Sequence, residues 1–448
     1  MTGNEPNQPP AVPAKAKQGG ADPTPSWDWV EGSVWTKQML ATLNQGIKGG
    51  KWYSLIDKVW KEENLDSALR AVIRNKGGGG IDGLQTEHLK EKQQQIRSKL
   101  QQQLRDGSYR PRPVKRVWIP KLGSKELRPL GIPTVTDRVV QTALRNVIEP
   151  IFERDFAPHS YGFRPKRGAH DALREVADHL QTGNCWVIDA DIKGYFDNIP
   201  QDKLLAAVAT KISDGRVLEL IEHLLQQGVM ESGKGWKPTN QGTPQGAVIS
   251  PLLANIYLDP LDHLMIERGW RMVRYADDFV VLCASREQAE ETLQTIGQWM
   301  EQAGLTLHPT KTRIVDASQK GGGFDFLGYH FECGKHWPRA KSKTKLKETI
   351  RQKTPRQHGE SLESIIADVN KTLRGWGQYF RHSSYDLEDI NSWVRQRLRA
   401  ILRRRSKRPG RPTVWDQKRW PNAFFIKAGL HILRRDPQLK LPIQNMAF

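Results

Sequence analysis

Residues 274–283 read RYADDFVVLC and set two carboxylates side by side at Asp277 and Asp278. Their repulsion opposes folding unless a cation sits between them. A second acidic stretch, VIDADIKGYFDNI, carries Asp189, Asp191 and Asp197. Side chains alternate along a strand, so Asp189 and Asp191 share one face while Ile188, Ala190 and Ile192 turn to a core. The apolar run from Phe279 to Leu282 marks a buried strand, which a tight turn at 275–278 leads into. If the two segments pair, Asp191 and Asp277 converge. With no histidine or cysteine nearby, such a site is all oxygen and suits Mg²⁺ or Mn²⁺ rather than zinc. Two such ions about 4 Å apart activate an attacking hydroxyl and stabilise the leaving oxygen in an in-line phosphoryl displacement, as in polymerases and nucleases. A DD pair alone is more often an ordinary acidic turn. The stretch GVMESGKG nearly spells a phosphate loop, but Gly235 stands where the magnesium-binding hydroxyl belongs, and a hairpin tip is the better reading.

Composition bounds what these acids act on. No run of the 448 residues approaches the eighteen or so apolar positions of a membrane-spanning helix. Residues 1–26, rich in Pro, Ala, Gly and Gln without an apolar leader, read as a disordered tail. Cys185, Cys283 and Cys333 are odd in number and dispersed, which suits a reducing, cytoplasmic compartment and gives neither a disulfide framework nor a zinc site. The 69 Lys and Arg against 49 Asp and Glu leave a formal charge of +20, which implies a polyanionic partner, most commonly nucleic acid. Residues 341–410 hold 18 basic and 7 acidic residues, a net +11 and over half of the excess. Such a segment should grip phosphates with strongly salt-dependent affinity.

The elements that must position the carboxylates are legible in outline. Residues 52–74 have helical spacing, and the glycines 77–80 then make a flexible break. VKRVWIPKLGSKELRPLGIP is a basic strand region whose prolines 120, 129 and 133 confine it to edge strands and turns. Helical spacing returns over 137–156, residues 189–199 and 272–282 are strand-like, and 345–405 read as basic helices. In the last of these, Val394, Leu398, Ile401 and Leu402 form an apolar stripe. Arg395, Arg399 and Arg403 line a neighbouring face with almost no acids between them, and so are expected to face phosphates.

Nine blocks then occur in a telling order: RVWIPKLGSKELRPLGIP, SYGFRPKRGAHDAL, DIKGYFDNI, GTPQGAVISPLLANIYLD, YADD, GLTLHPTKTRI, FDFLGYHF, LRGWGQYF and WPNAFF followed by GL. From about residue 50 onward the chain resembles the reverse transcriptases encoded within group II introns, the reverse transcriptase and maturase family. The resemblance implies an α+β right-hand polymerase fold with fingers, a palm of antiparallel sheet plus helices, and a helical thumb. It divides the chain into a tail (1–26), an N-terminal extension and fingers (27–165), a palm (166–335), a thumb or maturase region (336–405) and a basic C-terminal maturase segment (406–448). By resemblance, Asp191, Asp277 and the backbone carbonyl of Ile192 bind two Mg²⁺ ions, or Mn²⁺ in their place, with Asp278 beside them. Lys121 and Arg128 would hold the incoming triphosphate; the plainer alternative is a solvated basic hairpin. Phe196 would fill the space of a ribose 2′-hydroxyl next to Ile192, or simply pack beside Tyr195. Gln245 would reach the nascent base pair, while Gly242 and Gly246 let backbone approach the primer–template. Ala247 stands where other small residues are frequent in the family, a minor departure. Lys311 is a phosphate contact or an exposed lysine. LRGWGQYF is the maturase signature; its Trp376, Tyr379 and Phe380 are expected in the core, and Arg374, Arg381 and the arginine helix would grip RNA through backbone and shape.

The expected activity is RNA-directed DNA polymerisation that copies intron RNA into cDNA, with assistance to splicing of the parent group II intron as part of retrohoming. Its partners would be an RNA template with a DNA primer, dNTPs, the parent intron RNA and target DNA, and no membrane. Relatives often continue into an HNH endonuclease; this sequence has no cysteine–histidine cluster for one, so no DNA cutting of its own is expected, and single-stranded or nicked targets fit better. The alternatives are a non-enzymatic maturase whose polymerase half is a relic, or a relative recruited to antiviral defence. The intact carboxylates argue against the relic, which would be free to lose them. ADD in place of GDD, together with Phe196, disfavours a viral RNA polymerase.

Overall fold

A computed structural model describes residues 27–434, apart from Lys48, residues 121–126, Ser232, Lys234, His358 and Pro409. The tail expected over 1–26 and Lys121 therefore lie outside the described residues. In chain order the strands are β1 (Val114–Pro120), β2 (Leu127–Ile132), β3 (Trp186–Asp191), β4 (Val229–Glu231), β5 (Gly235–Lys237), β6 (Arg271–Tyr275), β7 (Asp278–Cys283), β8 (Arg313–Asp316), β9 (Phe324–Phe326), β10 (Tyr329–Glu332) and β11 (Lys335–Pro338). They form three sheets set among helices, the α+β class expected from the sequence.

The central sheet runs β6-β7-β3-β8, antiparallel throughout. Alternation gives it two apolar faces. Ile188, Ala190, Phe279 and Val281 join the large core that also takes in the helices Ser250–Glu267 and Arg286–Gln302. Val187, Val280 and Leu282 face the helix Ala169–Gln181 and the small sheet β11-β10-β9, where Phe324, Phe326 and Phe331 fill the gap. The strand reading of 189–199 is too long: β3 stops at Asp191, left-handed Gly194 (φ 56°) turns the chain, and residues Tyr195–Asn198 make one helical turn.

The second sheet runs β2-β1-β4-β5. Pro129 sits in β2, which is an edge strand as that proline requires, but β1 is interior, paired to β2 on one side and to β4 on the other. Pro120 is tolerated because β4 pairs only with Val114–Arg116, leaving the end of β1 without a ladder on that side. GVMESGKG falls in the β4–β5 hairpin. The glycine run is not a loose break: a Cβ on Gly80 would come within 2.7 Å of the Thr134 backbone. Bare backbone is needed there because the chain passes against the start of the helix Val135–Glu153, which Thr134 caps by accepting a hydrogen bond from the Asp137 amide at 3.1 Å.

The C-terminal part is helical (Ala340–Lys353, Leu362–Phe380, Glu388–Arg405, Val414–Arg419, Asn422–Lys427) around its own core. Val394, Leu398 and Ile401 are buried in it, as their spacing predicts. That core continues through Trp420, Phe425, Leu430 and Leu433, so a boundary at 405 would cut through it.

Candidate active site

Antiparallel pairing of β3 with β7 sets Asp191 directly across from Asp278, on the face that also carries Asp189. Asp277 lies in the two-residue turn between β6 and β7, whose ends pair as Tyr275 and Asp278. Ala276 in that turn holds a left-handed backbone (φ 61°), which costs a non-glycine residue roughly 1–2 kcal/mol. What holds it is a fully buried ion pair. Arg274 donates from Nε to Asp262 Oδ1 at 2.8 Å and pairs through Nη2 with Oδ2. Its Nη1 donates to Asn255 Oδ1 and to the Ala276 carbonyl, both at 2.9 Å. Asn255 in turn donates to the Gly162 carbonyl at 2.8 Å, and a Cβ on Gly162 would overlap the Ala276 amide. The SYGFRP segment is thus a bed for the acidic turn.

Arg274 and Asp262 were not singled out from the sequence. A signal was present: Arg274 has the parity of Met272, whose side chain enters the core, and Asp262 follows Leu258 and Leu261 on the buried side of its helix. Two opposite charges at core positions imply each other.

The cluster's electrostatics follow from its crowding. Burial, and then the charges of Asp189, Asp277 and Asp191, push the Asp278 carboxyl up to about 7. Burial and Asp191 also raise Asp277, against lowering by a hydrogen bond that its carboxylate accepts from its own backbone amide and by the charges of Arg128 and Arg274. Asp189 is raised by burial and partly relieved by Arg313, whose Nε lies 3.2 Å from Oδ2. Lys311 stands at Asp191, with Nζ 2.5 Å from Oδ2. Its segment is fixed there by the His308 amide donating to the Asp191 carbonyl at 2.7 Å and by the bridge between Ile192 and Leu307. Among the described residues no three His, Cys, Asp or Glu side chains enclose an ion by themselves, so a site here would be completed by backbone or ligand oxygens. The donors suit a hard divalent ion, being carboxylates in excess of cations, and Mg²⁺ is commonly held by one or two carboxylates plus substrate phosphates.

The other expected residues divide. Phe196 is half-buried, its ring 5.5 Å from that of Tyr195, and its carbonyl accepts from the Thr243 amide at 2.7 Å. Gln245 donates to Asp197 Oδ2 at 3.2 Å, and its carbonyl accepts from the Gly131 amide at 2.6 Å. Gly242 and Gly246 have positive φ (79° and 105°), and each presses on the chain's own backbone, near Asp197 and Gly131 respectively. The GTPQG loop therefore ties the β1–β2 sheet to the turn carrying Phe196. Burial raises the carboxyls of both Asp277 and Asp197, and the charge of Arg128, exposed on β2, opposes each rise. The Ile192 side chain is buried in the main core.

Arg374 is exposed on the helix Leu362–Phe380, and Arg381 is half-buried just after it. Trp376 and Tyr379 are partly buried and Phe380 is in a core. The arginine helix corrects an expectation. Arg395 and Arg399 are 5 % and 4 % exposed. Arg395 pairs with Glu388, Arg399 donates to the Trp420 carbonyl at 2.9 Å and to Asn422 Oδ1 at 2.7 Å, and Arg403 pairs with buried Asp416 at 2.6 Å. The acids missing from that face are supplied by the start of the same helix and by the segment after residue 412, and Arg399 and Arg403 hold that segment down.

Residues 119–331 match the family described as reverse transcriptase (RNA-dependent DNA polymerase), and residues 343–420 match the group II intron maturase-specific domain. Protein YkfC of Escherichia coli K12 is 34 % identical over 316 residues, 61 % of this chain and 82 % of that protein. The group II intron-encoded protein LtrA of Lactococcus lactis subsp. cremoris is 43 % identical over 207 residues, 45 % of this chain. The match spans only 33 % of LtrA. Among solved structures, apo telomerase from Candida tropicalis superposes with a TM-score of 0.44 at 14 % identity, covering 66 % of this chain and 57 % of that one.

Proposed function

From the premise that the chain belongs to the reverse transcriptases carrying a group II intron maturase-specific domain, we propose that it is an RNA-directed DNA polymerase, copying intron RNA into cDNA and assisting its parent intron's splicing. The observation that carries this reading is the register of β3 and β7, which sets Asp191 against Asp278 beside Asp277. Asp191, Asp277 and the Ile192 carbonyl would hold two Mg²⁺ ions, with Mn²⁺ as a substitute and Asp278 alongside. Bound there, two divalent ions lower the charge barrier to phosphoryl transfer.

The chain's own residues do the rest. Arg128, and Lys121 beyond the described residues, would pair with triphosphate oxygens, where fixed positive charge stabilises the charge developing in transfer. Phe196 would bar a 2′-hydroxyl, and Gln245, anchored through Asp197, would stand beside the nascent pair with Gly246 against the strand. Lys311 would release Asp191 as ions bind and turn to phosphate. Arg374 and Arg381 would meet RNA. The partners are primed RNA template, dNTPs, parent intron RNA and target DNA. No helix of the described residues is long and apolar enough to cross a membrane, and we assign the protein to the cytoplasm. Within this reading residues 27–165 serve as N-terminal extension and fingers and 166–335 as palm. Residues 336–405 serve as thumb and 406–448 as the basic maturase segment, and one core from Leu346 to Leu433 joins the two.

The test is to supply the purified chain with Mg²⁺, dNTPs and an RNA template bearing a DNA primer. Extension is expected; RNA binding without extension would favour the non-enzymatic maturase.

A further inference from the structure

The segment that covers the arginine helix has an outer side of its own. Beyond residue 403, Arg404, Lys407, Arg408, Arg411, Lys418 and Arg419 are exposed, and the one acid between 404 and 419, Asp416, is buried. In this basic surface Trp415 is 73 % exposed. It borders a hollow of about 780 Å³ lined by Arg403, Arg408, Thr413, Trp415, Lys418 and Arg419. Lys418 Nζ lies 5.0 Å from the centre of the indole ring, which leaves most of the ring in solvent.

The indole is presented on a rigid support. Asp416 accepts from the Thr413 amide at 2.7 Å and hydroxyl at 3.0 Å, and pairs with Arg403. Trp420 is anchored in the core, and its carbonyl receives Arg399. Trp415 does not stand alone, because the adjoining Val414 is 68 % exposed, and a contiguous apolar patch rimmed by polar residues marks an interaction site. Its surroundings say what it meets. Cations with no exposed acid among residues 404–419 select a polyanion, and an open aromatic face selects the face of an unpaired base, which a duplex does not offer.

We propose that this hollow binds an unpaired stretch of nucleic acid, with a base stacked on Trp415 and the flanking phosphates on Arg408, Lys418 and Arg419. The proposal deepens the RNA-binding side of the function above. It moves the phosphate grip from the buried arginines to the segment that covers them.

The test titrates the full chain and Trp415→Ala and Trp415→Phe variants with a short single-stranded RNA, a DNA of the same sequence and the corresponding RNA duplex, each over a range of salt. Trp415→Ala should weaken single strands by about 5- to 100-fold, as for loss of one base stack, with the salt slope kept and the duplex little changed. Trp415→Phe should recover most of the loss. Replacing Arg408, Lys418 and Arg419 with Gln should instead flatten the salt slope, by about one for each phosphate left without its cation. Whichever strand binds tighter, RNA or DNA, names the source. Unchanged single-strand binding by Trp415→Ala, or an equal loss on duplex, would overturn the stack. Failure of either strand to bind the unmodified chain would leave the patch to a protein partner. If the unmodified chain extends no primer while Trp415→Ala still loses single-strand binding, the polymerase reading falls and this one stands.

Discussion

Asp278 sits where burial and three neighbouring carboxylates all disfavour its charge, and its carboxyl rises to about 7 as a result. Folding tolerates such a group only where something else gains. Lys311 lies 2.5 Å from Asp191 and Arg313 3.2 Å from Asp189, but two paired cations do not balance Asp189, Asp191, Asp277 and Asp278 together. This imbalance was readable from the sequence, because two-residue alternation alone puts Asp189 and Asp191 on one face. Phe196 is the residue whose two readings separate most cleanly. It is half-buried against Tyr195, so trimming it leaves the core largely intact. Phe196→Ala should raise ribonucleotide incorporation relative to dNTPs by on the order of 10- to 100-fold, the reach of steric discrimination in a pocket. Unchanged discrimination in competing-substrate assays would reduce Phe196 to packing.

Among the elements, the β6–β7 hairpin depends on a charge pair whose two members local pattern could place on buried faces but could not join, since Arg274 and Asp262 come from a strand and a helix that meet only in the fold. Arg274→Met strands a buried carboxylate, and should cost about 3–5 kcal/mol. Arg274→Met with Asp262→Leu should regain most of that stability in a melting experiment. The double variant should still extend primers poorly, because the Ala276 carbonyl has lost its donor. Full recovery of activity along with stability would refute the positioning role. The helix Val135–Glu153 carries a second titratable burden. Burial lifts Glu149 from 4.5 to about 7, with Arg145 opposing and Glu153 adding to the shift. Between those values the folded chain keeps a proton that the unfolded chain has lost, so stability falls as pH rises through the window. Glu149→Gln should match the parent below pH 4.5 and exceed it by about 1–3 kcal/mol above pH 7. Parallel melting temperatures at pH 5 and pH 8 would contradict this. The arginine helix shows the limit of periodicity. The apolar stripe was legible, but the partners of Arg399 and Arg403 are side chains and carbonyls of residues 416–422, joined only by tertiary packing.

At the scale of the whole molecule, one core runs from Val34 to Leu305, and the C-terminal helices share another from Leu346 to Leu433. Boundaries drawn from composition or motif order cut across both, because a core gathers segments that are remote in sequence. The +20 charge and its concentration after residue 340 were plain beforehand, whereas which basic residues face outward was not. Everything converges on whether the acidic turn and the strand beside it work on a primer end. The most direct measurement is single-turnover extension of a DNA primer on RNA with Mg²⁺, comparing the unmodified chain with Asp277→Ala at matched RNA occupancy. Extension by the former and a loss of at least about a thousandfold in the latter, roughly 4 kcal/mol of barrier, is the predicted result. Equal extension by both would contradict it.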